Sequence, residues 1–461
     1  MKKLTLVLLF ILTYTQFMQA KDIDYIDKII NLYNITSSGS VEYNAIRVED
    51  GYNLQIKPKD EFFKDILSNK PIHIKVDEGP IVTSPHFTFA KAGMSANGLA
   101  LDLLNPKLVS DINSSLKNKP NYIYEGKVTF GGELEESLSL EPLDIDTKDM
   151  LLKTSKIISK SSFDLDTITG ENSIKIDKIE LKPKEQNVGD MRADGVNIKV
   201  KVTQEPIDNI MLFSNVIISA DKLHFKAKDK NSETNFSLLA NIDSKRVDSN
   251  LLDSSLKFNF KAFDEPTIAL AKGVKDLNLN IAVKNLGIKG MLALAKLQKE
   301  YNKLNHQMID ASKKGDEIAM QKAILANQEL TNKLVPIWNN TMIADKTRVV
   351  ANLEAVGQKR SALKLNLLYK GKPLSGDANS AFISLAAQQL NLFDGDIEID
   401  LDSNLATSIN PLAMMGLSML VNKHFATQKD GVYHLKAQLK GGKIVINGKA
   451  YALPELAKAL F

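Results

Sequence analysis

The chain contains no cysteine among its 461 residues. This absence excludes disulfide bonds, thiolate metal sites and cysteine nucleophiles together. It also suits an oxidising compartment, in which a stray thiol is a liability. Beyond the N-terminus, the most apolar run is residues 412–421, which Gly416 and Ser418 interrupt. That run is shorter than the roughly 20 apolar residues that a spanning helix requires, so no later segment is predicted to cross a membrane.

The chain also lacks a large excess of either basic or acidic residues. The 59 basic and 55 acidic residues leave a formal net charge of +4. Proteins that bind nucleic acid cluster their basic residues, so a nucleic-acid partner is not expected. Apolar residues make up 44% of the chain, which is ordinary for a globular protein with a core. The length is sufficient for one large domain or for two to three ordinary ones.

The usual signatures of catalysis and metal binding are absent from the sequence. It contains no HExxH, G-x-S-x-G, Walker or GxGxxG motif. The acidic segment Asp394–Asp402 fails the EF-hand template, because Ile399 and Leu405 stand where that loop needs Gly and Glu. Its alternation instead predicts a strand with carboxylates on one face. We therefore expect no enzyme activity, no catalytic residues, no cofactor and no metal.

The first twenty residues have the layout of a secretory signal. Lys2 and Lys3 precede the apolar segment Leu4–Leu12, and the small residue Ala20 is followed by polar residues. Signal peptides show this order of basic, apolar and small residues. We therefore predict export to the periplasm. Cleavage after Ala20 and retention as an inner-membrane anchor both stay open.

Alternation of apolar and polar residues dominates most of the chain from about Ser38 onward. An Asp50-Gly51 pair between two such runs predicts a tight hairpin. One apolar and one charged face per strand is typical of antiparallel sheet with one side in water. Two interpretations of the apolar face stay open, a filled core and an open groove for a lipid or another apolar ligand. The candidate groove residues are Phe87, Phe89, Phe258 and Phe260.

The pattern changes to a helical one near Leu286. Apolar residues then recur at spacings of three and four, and Gly315-Asp316 separates this run from a second one that stops near Pro336. These spacings predict two helices joined as a hairpin. The hairpin either braces the sheet or forms a coiled coil with a second copy. The candidate self-association residues are Leu297, Tyr301, Leu304 and Met308.

These patterns together predict an α+β fold dominated by strands. We expect large twisted antiparallel sheets, an inserted helical hairpin at about 288–335, and a terminal β-hairpin. The predicted organisation is a signal peptide or anchor (1–20), an N-terminal β-rich region (21–285), a helical insertion (286–345) and a C-terminal β-rich region with short helices (346–461).

Two local segments carry a family resemblance. Residues 76–81 read Val-Asp-Glu-Gly-Pro-Ile, and residues 433–449 form a closing hairpin with a terminal Asn-Gly. Together with the export signal, the long β-region and the late helices, they resemble the YdgA-like family of bacterial envelope proteins, a domain of unknown function. The resemblance implies an inner-membrane-associated or periplasmic location, with self-association, and it supplies no catalytic residues.

We accordingly expect a non-enzymatic envelope protein with a binding or assembly role. Its expected partners are other envelope proteins or a second copy of itself, and a lipid or membrane surface. The alternative is a carrier or bridge that holds a lipid in a groove formed by the apolar face of the sheet.

Overall fold

A computed structural model describes most of the chain. The described residues are 28, 30–32, 34–35, 41–48, 51–59, 64, 71–75, 86–95, 114–118, 120–129, 132–185, 189–208, 210, 213–226, 233–263, 274–409 and 413–460. Strand accounts for 53% and helix for 27% of the structure, which confirms the prediction of a β-dominated fold with large antiparallel sheets.

Most strands were anticipated by their alternating pattern. They are β1 (Val41–Val48), β2 (Gly51–Pro58), β3 (Ile72–Lys75), β4 (His86–Ser95), β5 (Asn121–Thr129), β6 (Glu133–Leu140), β7 (Asp144–Asp146), β8 (Met150–Thr154), β9 (Ile157–Asp164), β10 (Thr169–Pro183), β11 (Asp190–Val202), β12 (Ser214–Lys226), β13 (Glu233–Arg246), β14 (Leu251–Ala262), β15 (Asp276–Gly287), β16 (Arg348–Val356), β17 (Arg360–Tyr369), β18 (Phe393–Asp402), β19 (Thr427–Lys429), β20 (Val432–Lys440), β21 (Lys443–Ile446) and β22 (Lys449–Tyr451).

The described helices fall between the later strands and at the end of the chain. They are α1 (Ile288–Lys314), α2 (Glu317–Asn332), α3 (Leu334–Thr341), α4 (Ala378–Gln388), α5 (Ser403–Ile409), α6 (Ala413–Asn422) and α7 (Leu453–Leu460), with a 3-10 turn at Gln389–Leu392. The predicted helical hairpin corresponds to α1 and α2. Its turn is at Gly315, whose positive φ of 66° is readily adopted by glycine.

The chain divides into two compact units, each of which combines separate stretches of sequence. Unit 1 comprises Met1–Ala220, Ala227–Asp229 and Gln298–Ile324, and unit 2 comprises Asp221–Lys226, Lys230–Leu297 and Leu325–Phe461.

Unit 1 contains a small sheet of β1, β2 and β3 and a larger antiparallel sheet. In the larger sheet, β4, β5, β6, β9, β10 and β11 follow one another, while β8 pairs with the second half of β10. One face of this sheet is a true core, since Leu134, Leu138 and Ile157 are 0%, 1% and 1% exposed. Strand β9 buries every second residue, as a strand with one covered face does.

Unit 2 contains one long antiparallel sheet. Its order is β13, β14, β15, β16, β17, β18, β20, β21 and β22, with β19 also paired to β20. The predicted closing hairpin is confirmed as β20 and β21, followed by the tight turn at Asn447-Gly448 into β22. Both turn residues have positive φ, as a two-residue hairpin turn requires.

Candidate functional site

The apolar face of the unit 2 sheet is continuous across neighbouring strands. Register places Phe258 beside Leu279, and Leu353 beside both Leu279 and Leu363. Because side chains alternate between faces, residues in register share a face. We define the floor as the central part of this apolar face. Its residues are Leu256, Phe258, Leu279, Ile281, Ala351, Leu353, Leu363 and Leu365.

Every floor side chain is only half-buried. A sheet face that is covered by protein brings its large apolar residues to nearly zero exposure, as Leu134 and Leu138 of unit 1 show. The floor retains exposure even though each residue is flanked by neighbours on both adjacent strands. It is therefore an extended aliphatic and aromatic surface that is incompletely covered, and surfaces of this kind often mark interaction sites.

The opposite face of the same sheet is polar and its side chains are paired across strands. Glu398 accepts from Lys436 at 2.9 Å and lies 3.9 Å from Lys364. His434 Nδ1 lies 2.7 Å from Asp400 Oδ1. These carboxylates belong to the segment Asp394–Asp402, so that segment is confirmed as a strand with its acids on one face. This face is suited to water, whereas the floor is apolar and only half-buried.

Helices and the closing hairpin cover one side of the apolar face. Phe425, Ala437 and Ile446 form a buried cluster, and Leu420 of α6 and Leu456 of α7 pack against it. Ile397 and Leu435, which continue the floor on β18 and β20, also join this cluster. Helix α6 ends at Asn422, and Phe425, three residues further on, inserts into the core.

Three aromatic rings close one end of the apolar face. Trp338 of α3 and Tyr369 of β17 meet edge to face at 6.2 Å, and Tyr369 and Phe393 do so at 5.8 Å. The Trp338 indole N–H donates to the hydroxyl of the buried Tyr369 at 3.0 Å, so the polar atoms of both rings are satisfied. We call these three residues the aromatic end.

Glycine is required next to this end. A Cβ on Gly371 would lie 2.4 Å from the Tyr369 hydroxyl, well inside van der Waals contact. The loop that follows places Leu374 in a small core with Val335 and Ala381, so α3 and α4 are held together at the aromatic end.

The predicted groove residues fall into two groups. Phe258 lies in the floor, and Phe260 lies in line with it on β14, where its ring is 4.8 Å from that of Phe236. Phe87 and Phe89 lie on β4, which is confirmed as a strand, but their side chains are outside the described residues. Leu279, Leu353 and Leu363 also lie in the floor, but they were not among the predicted groove residues.

The predicted self-association residues differ in burial. Leu297 and Leu304 are 7% and 6% exposed, so both are already covered within the chain. Met308 is half-buried. Tyr301, at 43% exposure, remains accessible to a partner.

A polar pocket in unit 1 was not anticipated. It has a volume of about 640 Å³ and is lined by Glu133, Ser162, Asp164, Thr169, Gly170, Lys201, Val202 and Thr203. The Ser162 hydroxyl donates to Glu133 at 2.8 Å. Backbone hydrogen bonds from Thr167 and Asp166 lower the pKa of Asp164, which keeps it ionised. The Ser162 hydroxyl is thus paired with Glu133, and Asp164 is paired with backbone N–H groups of the following turn.

The described residues contain neither a cluster of metal-ligating side chains nor a helix that could span a membrane. Within the described part of the chain, no group of three or more His, Cys, Asp or Glu side chains is placed to hold a metal ion. No described helix is long and apolar enough to cross a membrane.

Comparison with known proteins places the chain in a family. The family model of a bacterial protein of unknown function, DUF945, matches residues 61–341. The chain belongs to this family. The match spans more than half of the chain and includes floor strands β14 and β15, while β16 and β17 lie beyond it. No curated protein and no solved structure matches this DUF945 member. The finer resemblance to YdgA-like proteins stays a prediction.

Proposed function

We propose that this DUF945 member is a non-enzymatic protein of the bacterial envelope that holds an acyl chain of a lipid against the floor. The half-burial of all eight floor residues supports this proposal most directly. When a ligand covers a face built only from aliphatic and aromatic side chains, the removal of apolar surface from water favours binding by about 25 cal/mol per Å².

The chemistry of the floor favours an acyl chain over a polar ligand. Its eight side chains carry no hydrogen-bonding group, so they can fix neither a sugar nor a peptide. Small-molecule sites combine an apolar lining with a few placed polar groups. The polar groups nearest in sequence, such as Asn352 and Lys364, alternate onto the opposite face and therefore do not line the floor.

The proposed location comes from the N-terminal segment. Its basic start, apolar stretch and small residue at position 20 favour export across the cytoplasmic membrane. An alkaline phosphatase reporter fused after Lys21 is expected to be active, because that enzyme matures only outside the cytoplasm. An inactive, cytosolic fusion would contradict the envelope location and leave lipid binding to be judged separately.

Filling the floor tests the lipid proposal. Ala351 is a small half-buried floor residue on β16, and Ala282 on β15 is equally small but lies on the polar face. Ala351→Trp is expected to weaken binding of a fluorescent fatty acid at least about tenfold, since the indole occupies the space of the chain. Ala282→Trp is the matched control and should retain wild-type affinity.

The affinities of the Ala351→Trp and Ala282→Trp variants together show whether the fatty acid binds at the floor. Circular dichroism and the urea midpoint show first that both variants remain folded. Equal affinity of Ala351→Trp and the wild-type chain would contradict binding at the floor. Equal weakening by Ala282→Trp would also contradict it, because that substitution leaves the floor unfilled.

A second proposed function is self-association through the helical hairpin. Tyr301 on α1 and Ile324 on α2 are 43% and 46% exposed, which is high for large apolar side chains. A dimer in solution by light scattering, converted to monomer by Tyr301→Ser combined with Ile324→Ser, is the expected result. A wild-type chain that stays monomeric at high concentration would contradict this function.

A further inference from the structure

Helix α4 is apolar on two sides. Its residues Ala378 and Ala381 are 3% and 1% exposed, and they form the side that packs into the protein. On the outer side, Phe382 is 52% and Ile383 is 71% exposed. Asn379, Ala386 and Ala387 are exposed at helical spacing with them, and residues 378–393 contain no charged side chain. An exposed helix normally carries charge on its outer side, so this composition requires an explanation.

The inner side of α4 leads to the aromatic end of the apolar face. Ala381 lies in the same small core as Val335 and Leu374, and Trp338 packs against that core. Trp338 in turn contacts Tyr369. Whatever the outer side of α4 binds is therefore brought next to the end of the proposed acyl-chain site.

The small area of the outer stripe of α4 favours a bilayer surface over a protein partner. A stable protein interface buries about 800 Å² on each partner. Two large side chains and three small ones on a helix of eleven residues present only a fraction of that area. A bilayer demands much less, because a few inserted apolar side chains attach a helix reversibly to the interface.

A cation lies beside the same helix. The backbone N–H of Lys372 donates to Gln388 Oε1 at 3.0 Å, which fixes Lys372 at the C-terminal end of α4. Lys372 itself is exposed. A lysine at the edge of an apolar stripe suits a surface of anionic lipid headgroups, where each basic residue contributes about 1 kcal/mol.

We propose that the outer stripe of α4, centred on Phe382 and Ile383, inserts into an anionic bilayer surface and sets the aromatic end of the floor against it. This inference rests on the proposed acyl-chain site, because it names the bilayer as the source of the ligand. Attachment at α4 then lets a lipid chain pass between bilayer and floor without crossing water.

The absence of cysteine permits a site-specific test on the full chain. Ile383→Cys is labelled with an environment-sensitive fluorophore, and Ile318→Cys on α2 is the matched control, since the two isoleucines are 71% and 69% exposed. Vesicles of phosphatidylethanolamine with phosphatidylglycerol are then added. The label at 383 is expected to brighten several-fold and shift to the blue, and a spin-labelled lipid should quench it. The label at 318 should not change. Because the signal comes from the label at residue 383, insertion of the apolar N-terminal segment into the vesicles would not by itself produce it.

Further protein variants and other vesicle compositions test which side chains and which headgroups are responsible for binding. Phe382→Ser in the Ile383→Cys background should reduce the vesicle affinity about tenfold, and Lys372→Gln should reduce it about fivefold. An unchanged signal at 383, or equal signals at 383 and 318, overturns the inference. Vesicles of phosphatidylcholine alone should give a weaker signal, and equal binding to them overturns the role of the anionic headgroup. Binding of the fluorescent fatty acid without vesicles does not involve the outer stripe of α4. If the wild-type chain failed to bind the fatty acid, that result would count against the proposed function and not against this inference.

Discussion

The inner faces of the two large sheets differ in both their polarity and their exposure to solvent. In unit 1 the inner face includes Ser159 and Ser161, yet both serines are at most 6% exposed. In unit 2 the corresponding face at Leu279, Leu353 and Leu363 is purely apolar, yet it is only half-buried. The more apolar face is therefore the less covered one. This difference agrees with the proposal that a ligand covers the floor.

Hydrogen bonding explains how unit 1 tolerates polar groups in its core. The Ser161 hydroxyl donates to the buried Glu136 carboxylate at 2.8 Å, and both residues lie on the covered face. A buried polar group costs little free energy when it is paired. Such an arrangement needs a close-packed cover, which the floor of unit 2 lacks.

Truncating one leucine on each inner face gives the largest expected difference. Leu138→Ala removes a side chain that is 1% exposed, and we expect the free energy of unfolding to fall by about 3 kcal/mol. Leu353→Ala on the floor should lower it by about 1 kcal/mol, since that side chain is already partly in water. Urea unfolding of both variants measures the two losses, and equal losses would remove the contrast between the two faces.

Disturbing the aromatic end should have an intermediate effect. Gly371→Ala places a methyl group 2.4 Å from the Tyr369 hydroxyl, so the ring must move and its hydrogen bond to Trp338 must lengthen. We expect destabilisation by about 1–3 kcal/mol and a changed fluorescence of Trp338. The control is Gly416→Ala in α6, where nothing lies within 4 Å of the new Cβ. That variant should be neutral or slightly stabilising, since alanine is the better helix former. An unshifted Trp338 spectrum in Gly371→Ala would contradict the packing described.

A smaller effect concerns the pH dependence of unit 1. Hydrogen bonds from Lys117 at 2.8 Å and Lys184 at 2.5 Å lower the pKa of Asp146 to about 2, from an ordinary value of 3.8. The native state therefore holds the ionised form more strongly than the unfolded chain does. This contribution is fully present above pH 3.8 and is lost as the pH falls towards about 2.

Replacing the carboxylate isolates that contribution. Asp146→Asn should be less stable than the wild-type chain at neutral pH, and the difference should shrink between about pH 4 and pH 2. Because Asp146 is exposed at the surface, solvent screening keeps the effect small. Unfolding midpoints measured across this range test the linkage. Parallel curves for the two chains would show that the two lysine contacts are not maintained in solution.

The sequence predicted the floor strands better than the unit 1 core. Strict alternation on β14, β15 and β17 identified those strands and their apolar side. Strands β6 and β9 were not predicted, because Glu136, Ser159 and Ser161 occupy buried positions and hide the apolar alternation. Strand β16 was missed although Val349, Ala351 and Leu353 alternate, since its small residues weaken the pattern.

The candidate site was only partly predictable for a different reason. Periodicity shows which face of a strand is apolar, but coverage depends on contacts between residues far apart in sequence. The aromatic end joins Trp338, Tyr369 and Phe393, which no local pattern connects. Helix α4 was not anticipated, because its outer stripe is apolar like its inner one and so lacks an amphipathic signal.

The accessibility of the floor is the most direct test of the central claim. Leu353→Cys and Leu138→Cys each introduce one thiol into a chain that has none. In delipidated protein, a maleimide is expected to modify the thiol at 353 at least about tenfold faster than the one at 138, which reacts only when the core opens. A bound fatty acid should then protect residue 353 alone. Equal, slow modification of both thiols, unaffected by fatty acid, would mean that the floor is an ordinary core and would contradict the account.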